Sequence, residues 1–180
     1  RPRHKQACKK RTAELRDELL FRQPESSHLG DCPVCLLPLS IDLTKSKVYS
    51  CCSKIICNGC NYANGIQMRA SSLKPKCPFC RQLAGGLSDK ELDQNTMKRV
   101  EANDIVAMSE MAKVCSNEGD FSRAYEYWKK AAEMGDAESH YQLSALYNKD
   151  DGFERDEKKQ LYHMEEAAIG GHPIARYNLG

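Results

Sequence analysis

Three Cys-x2-Cys pairs fall within about fifty residues of this chain: Cys32-Pro-Val-Cys35, Cys57-Asn-Gly-Cys60 and Cys77-Pro-Phe-Cys80. A two-residue gap lets two thiolates reach one metal ion from a single tight turn. One such pair also serves redox chemistry. Three of them, with Cys51-Cys52 between the first and second, point to zinc. Ten cysteines, an even count, would suit a disulfide framework in a secreted chain, but pairs spaced in this way suit a metal better. A unit of about fifty residues cannot bury much of a core, and bound zinc replaces what is missing. A zinc–thiolate cluster persists most readily where thiols stay reduced, so the expected location is intracellular, cytoplasmic or nuclear.

The stretch from Cys51 to Cys57 reads Cys-Cys-Ser-Lys-Ile-Ile-Cys. Neighbouring side chains of an extended strand point to opposite sides, so two adjacent cysteines can share an ion only where the backbone bends. The plainer reading makes one of them a small buried residue. Structural zinc takes four donors, which favours both as ligands. Lys54 offers no lone pair near neutral pH and is excluded as a ligand. A closed set of four thiolates leaves no open coordination position, so such zinc is structural and not hydrolytic. Spacing by itself does not say whether the cysteine pairs group sequentially or alternately.

The full order is Cys32-x2-Cys35-x15-Cys51-Cys52-x4-Cys57-x2-Cys60-x16-Cys77-x2-Cys80. It resembles the RING finger family, in the variant where cysteine replaces the usual histidine. Aligned back from Cys57, Lys54 occupies the histidine position of the common Cys-x-His-x2-Cys pattern. The resemblance implies a cross-brace of two zinc ions. Cys32, Cys35, Cys57 and Cys60 would hold the first, and Cys51, Cys52, Cys77 and Cys80 the second. It also implies ubiquitin ligase activity without a covalent step: the domain docks a ubiquitin-conjugating enzyme and holds its ubiquitin thioester ready for a substrate lysine. By the same resemblance Val34 is the apolar contact in the first loop, and Pro78 lies in the second loop, facing the same groove. Arg81 would be the cation that bridges conjugating enzyme and ubiquitin, a role that suits a planar fork of donors. The bland reading of Arg81 is a surface cation balancing thiolate charge, and Val34 and Phe79 could simply pack the module.

Residues 103–180 repeat. The segments 103–114, 135–147 and 171–180 align with periods of 32 and 36 residues, and Ala131-Ala132 with Gly135 falls on Ala167-Ala168 with Gly171. Periods of this length mark stacked helical hairpins. Paired alanines let helices approach closely, the glycines suit left-handed helix ends, and Tyr141, Leu143, Leu146 and Tyr147 supply an apolar stripe. The residues Leu146, Tyr147, Gly152, Asp156 and Lys159 resemble the Sel-one-like branch of the tetratricopeptide-type repeats, which implies a concave protein-binding surface. The third repeat stops at Gly180 in mid-pattern, and we read the chain as a piece of a longer one.

The remaining segments carry less. Six basic residues stand among the first eleven with no acid, and a helix is expected from about Ala7 to Phe21, read as a solvated face with a disordered end in preference to an electrostatic tether for nucleic acid, lipid or a localisation receptor; packing of this helix on the zinc module is a further expectation. A linker precedes Cys32, and Gly85-Gly86 marks a boundary before a charged lead-in helix. The formal charge of +2 counts thiols as neutral; eight thiolates on two divalent ions would bring it to about −2. A global nucleic-acid-binding charge is therefore not expected, and no apolar run reaches the roughly 18 residues of a membrane span. The five histidines are scattered along the sequence. Cys8 and Cys115 lie outside the clusters, Cys115 as a small core residue; Asp150, Asp151 and Asp156 read as a solvated loop. The expected fold is mainly α with a small zinc-stapled α+β module. Its parts are a basic N-terminal helix and linker (1–31), the zinc finger (32–82), a lead-in helix (83–104) and helical repeats (105–180). The expected function is a RING-type ubiquitin ligase whose repeats recruit a protein substrate or complex. The alternative is a non-catalytic zinc-binding scaffold.

Overall fold

A computed structural model describes residues 2–22, 28–84, 88–148 and 154–179. The described residues form a mainly helical chain with one small sheet. The helices are α1 (Pro2–Phe21), α2 (Asn58–Ala70), α3 (Asp89–Glu101), α4 (Ile105–Asn117), α5 (Phe121–Glu133), α6 (Ala137–Asn148), α7 (Glu157–Ile169) and α8 (Pro173–Leu179). The strands β1 (Ser46–Tyr49) and β2 (Lys54–Cys57) pair antiparallel, from Ser46 opposite Cys57 to Tyr49 opposite Lys54. The linker residues 23–27, the boundary at Gly85-Gly86, the loop positions Asp150, Asp151, Gly152 and Phe153, and Gly180 lie outside the described residues, as does the side chain of Cys8.

The helical repeats are punctuated by their caps. The side chains of Asp104, Asp120 and Asp136, sixteen residues apart, accept backbone N–H bonds from Ala107 (3.1 Å), Arg123 (3.0 Å) and Ser139 (2.9 Å). After the longer loop, Asp156 accepts from Lys159 at 3.1 Å, and sixteen residues later His172 Nδ1 accepts from Ala175 at 3.3 Å. A short side-chain acceptor at this position satisfies an amide that the first turn leaves unpaired. The other four junctions are short. Asn103, Gly119, Gly135 and Gly171 take left-handed φ values of 56°, 81°, 90° and 85°, and the capping residue's own N–H returns to the preceding helix. Consecutive helices therefore run as antiparallel neighbours.

The main core joins Met111, Ala112 and Cys115 of α4 to Ala124, Trp128 and Ala132 of α5 and Leu143 and Leu146 of α6. Cys115 is fully buried there, as a small core residue. A second cluster of Ala167, Ala168 and Ala175 receives Leu20, Tyr141 and Met164. Leu20 brings α1 onto α7, where Arg16 donates to Glu165 at 2.7 Å and pairs with Glu166 at 3.2 Å. The helix thus starts earlier than expected, with Pro2 tolerated in the first turn. Among the described residues it packs on α7, where its Arg finds two acids and its Leu an alanine surface. No helix among the described residues is long and apolar enough to cross a membrane.

Candidate metal centre

The first and last cysteine pairs sit on two copies of one loop, 45 residues apart. In the first, Cys32 N–H donates to Leu37 O (2.9 Å), Leu36 N–H to Cys32 O (2.8 Å) and Leu39 N–H to Gly30 O (3.0 Å). In the second, Cys77 N–H donates to Gln82 O (2.8 Å), Arg81 N–H to Cys77 O (3.0 Å) and Ala84 N–H to Pro75 O (3.0 Å). Leu36 and Arg81 occupy equivalent left-handed positions, with φ of 59° and 65°. Such a residue turns the chain back sharply after the second cysteine, so that isolated bridges form between Asp31 and Pro38 and between Lys76 and Leu83.

The other four cysteines come from the hairpin and the helix that follows it. Cys52 N–H and Ser53 N–H both donate to Tyr49 O, at 3.2 and 2.8 Å, and Ser53 has φ 54°. This is the bend that adjacent ligands require. Cys57 ends β2 and caps α2, its Sγ accepting Cys60 N–H at 3.4 Å. A thiolate is favoured at a helix N-terminus, where the unpaired amides carry partial positive charge. Side-chain amides lock the frame: Asn58 donates to Thr44 O and Asn64 to Lys76 O, both at 2.8 Å. Leu39, Tyr49 and Ile56 are the buried apolar side chains between the two cysteine groups.

The sulfurs gather in alternating fashion. Cys32, Cys35, Cys57 and Cys60 form one quartet, and Cys51, Cys52, Cys77 and Cys80 the other, with the four sulfurs of each within 4.8 Å of one another. Cys35 and Cys57 are 3.8 Å apart, as are Cys52 and Cys77, and Cys51 and Cys80 are 3.4 Å apart. A tetrahedral zinc with bonds of about 2.3 Å sets its sulfurs about 3.8 Å apart. These nine described cysteines, Cys115 included, are free thiols, at separations far beyond the roughly 2.05 Å of a disulfide. Each quartet could therefore hold one zinc ion.

The electrostatics fit a dication as well. Burial pushes the Cys51 thiol up, reinforced by its neighbours Cys80, Cys77 and Cys52. Cys52 is pushed up to about 11 and Cys60 to about 12, again chiefly by burial. Burial opposes ionisation of Cys32 too, but the N–H groups of Cys35, Cys57 and Val34 bring it down to about 6. The same balance, with the N–H of Gln82, lowers Cys80. Four buried thiolates side by side become tolerable once a divalent charge sits among them.

Val34 lies exposed in the first loop; Pro78 is half-buried and Arg81 exposed in the second. Lys54 is exposed, with its ammonium 5.5 Å from the Phe79 ring centre, a cation–π contact. Comparison with protein-family models, with curated proteins and with solved structures finds no match to this chain.

The histidines, scattered in sequence, come together in space. His140 Nε2 lies 3.1 Å from Ala132 O, and its Nδ1 lies 3.0 Å from Nδ1 of His163. A carbonyl only accepts, so the His140 proton is on Nε2 and His163 donates across the pair. His28, Glu138 and His172 form a further group of potential ligands. The one sequence sign of this was His172 standing where the other repeats carry a capping Asp.

Proposed function

We propose that residues 32–82 form a RING-type module with two structural zinc ions that acts as a ubiquitin ligase, and that the helices of residues 105–180 recruit its protein partner. Residues 1–31 and 83–104 would link these parts. The observation that carries this reading is the alternating grouping of eight cysteines, with Cys51 and Cys52 turned to the same quartet. Sequential grouping would have argued for two independent zinc ribbons. In this reading the duplicated loops present Val34 and Pro78 to a ubiquitin-conjugating enzyme. Arg81, exposed and following Cys80 directly, donates its fork of N–H groups to carbonyls of the enzyme and of ubiquitin. The metals take no part in bond making, since a four-thiolate site offers no open position.

The test is zinc-dependent self-ubiquitination of the zinc-loaded chain across a panel of conjugating enzymes. Transfer is expected with at least one enzyme, and Arg81→Ala should lower it at least tenfold while the zinc held by the two cysteine quartets is unchanged. The second reading, a non-catalytic scaffold, draws on the mounting of the hairpin on the helices, where buried Ser53 lies beside Asp104 and helps hold its carboxyl below the usual range. Absence of transfer with every enzyme, together with unaltered enzyme binding in Arg81→Ala, would leave that reading standing.

A further inference from the structure

We propose that His28, Glu138 and His172 form a third, sulfur-free site for zinc, which pins the segment before the first cysteine loop to the helical repeats. His28 lies four residues before Cys32, and both of its ring nitrogens are buried without a hydrogen-bond partner. A neutral imidazole carries one donor and one acceptor, and leaving both buried and unpaired is unfavourable. Its ring stands 5.1 Å from that of His172, tilted by 49°. His172 is 3% exposed, and its Nε2 lies 3.2 Å from Glu138 Oε2. One donor atom from each of the three residues lies within 4.8 Å of the others.

Tetrahedral zinc with bonds of about 2.1 Å holds its nitrogen and oxygen ligands about 3.4 Å apart. His172 and Glu138 already meet that spacing, and a small inward shift of His28 completes the set. Two imidazoles and a carboxylate suit zinc and leave a fourth position for water. The supporting contacts orient the donors. Gln142 Nε2 donates to Glu138 Oε1 at 2.8 Å, which directs Oε2 to the ion, and Tyr141 stacks on the His172 ring at 4.3 Å. Lys113, the nearby cation, is paired with Glu110 at 3.0 Å.

The proton balance is specific. Without an ion, Ala175 N–H donates to His172 Nδ1 at 3.3 Å, so the ring proton sits on Nε2 and is donated to Glu138. Zinc takes the Nε2 lone pair, and the proton moves to Nδ1. The ring stays neutral, and one long cap bond of α8 gives way to coordination bonds from three residues that belong to three separate parts of the chain.

The test starts from the full chain carrying two zinc equivalents and adds zinc by equilibrium dialysis at micromolar free ion. The wild type should bind a third equivalent. His28→Ala, Glu138→Gln and His172→Asn should each stop at two; Asn caps a helix well, so the last variant keeps α8 in place. Nitrogen-detected NMR of His172 should show the proton passing from Nε2 to Nδ1 as the third equivalent binds. A wild type that stops at two, a third equivalent that survives His28→Ala and His172→Asn, or an unchanged His172 tautomer would each overturn the site. None of these outcomes depends on ligase activity.

Discussion

Cys51 and Cys52 share the turn between β1 and β2 and face the same quartet, so neither has a substitute. Cys52→Ser, or Cys51→Ser, should reduce tightly bound zinc in the two thiolate quartets from two equivalents to one, measured by metal analysis after gel filtration. Cys115→Ser should leave both in place and instead lower stability by about 1–3 kcal/mol, because a hydroxyl would be left unpaired in the core. This much was legible in the residues: ligand counting alone asked for both adjacent thiols and released Lys54. The left-handed backbone at Leu36 and Arg81 was not legible, because neither residue type prefers it and only the closed loop imposes it. Glycines divide in the same way. A Cβ on Gly170 would come within 2.7 Å of the Ala137 Cβ, whereas one on Gly59 meets nothing closer than Cys57 Sγ at 3.9 Å. Gly170→Ala should therefore cost about 1–3 kcal/mol in denaturant unfolding through overpacking of α7 on α6. Gly59→Ala should be nearly neutral.

At the level of elements, the α6–α7 hairpin contains a pH-sensitive pair. Burial first, then the charge of His140 and of Lys159, pushes His163 down to about 4; burial also lowers His140, against the pull of Glu166 and Asp136. A depressed imidazole binds its proton more weakly in the fold than in the unfolded chain, where the pKa is about 6.5. Its contribution is fully present above pH 6.5 and is lost as pH falls from about 6.5 towards 4. With the ring only half-buried, solvent screening leaves on the order of 1 kcal/mol. Hydrogen exchange of α6 and α7 amides should accelerate across that window, and His163→Gln should flatten the change; an unchanged slope in the variant would exclude this pair as its source. The helices themselves were readable from the repeat period, the paired alanines and Gly135 and Gly171; the caps at Asp104, Asp120, Asp136 and Asp156 that fix each start emerge from the structure. The histidine pair was not, because His140 and His163 meet only through the packing of α6 on α7.

Across the whole molecule, the two halves of the chain are held together by different means. Residues 28–84 bury few large apolar side chains, chiefly Leu39, Tyr49, Ile56 and Met68, around sulfur groups that repel one another when ionised. The helices α4 to α6 bury a continuous apolar core that includes Trp128, Leu143 and Leu146, and among the described residues no member of that core belongs to a group of potential metal ligands. The long-range contact of α1 with α7 joins residues 149 positions apart through Arg16 and Glu165, and no local pattern in the sequence could have indicated it. Metal removal should separate these parts energetically. With a strong chelator and reductant present, amides of β1, β2 and α2 should lose protection, because structural zinc is what folds a module of this size. Amides of α4, α5 and α6 should keep most of theirs, and the far-UV circular dichroism should stay predominantly helical. Re-addition of zinc should restore the hairpin. Collapse of α4–α6 in step with the hairpin would instead mean that the cysteine-rich module is part of the same cooperative unit, with Ser53 beside Asp104, and the cavity that Leu29 and Val48 line together with Val106 and Ser109 of α4, marking where the two parts meet.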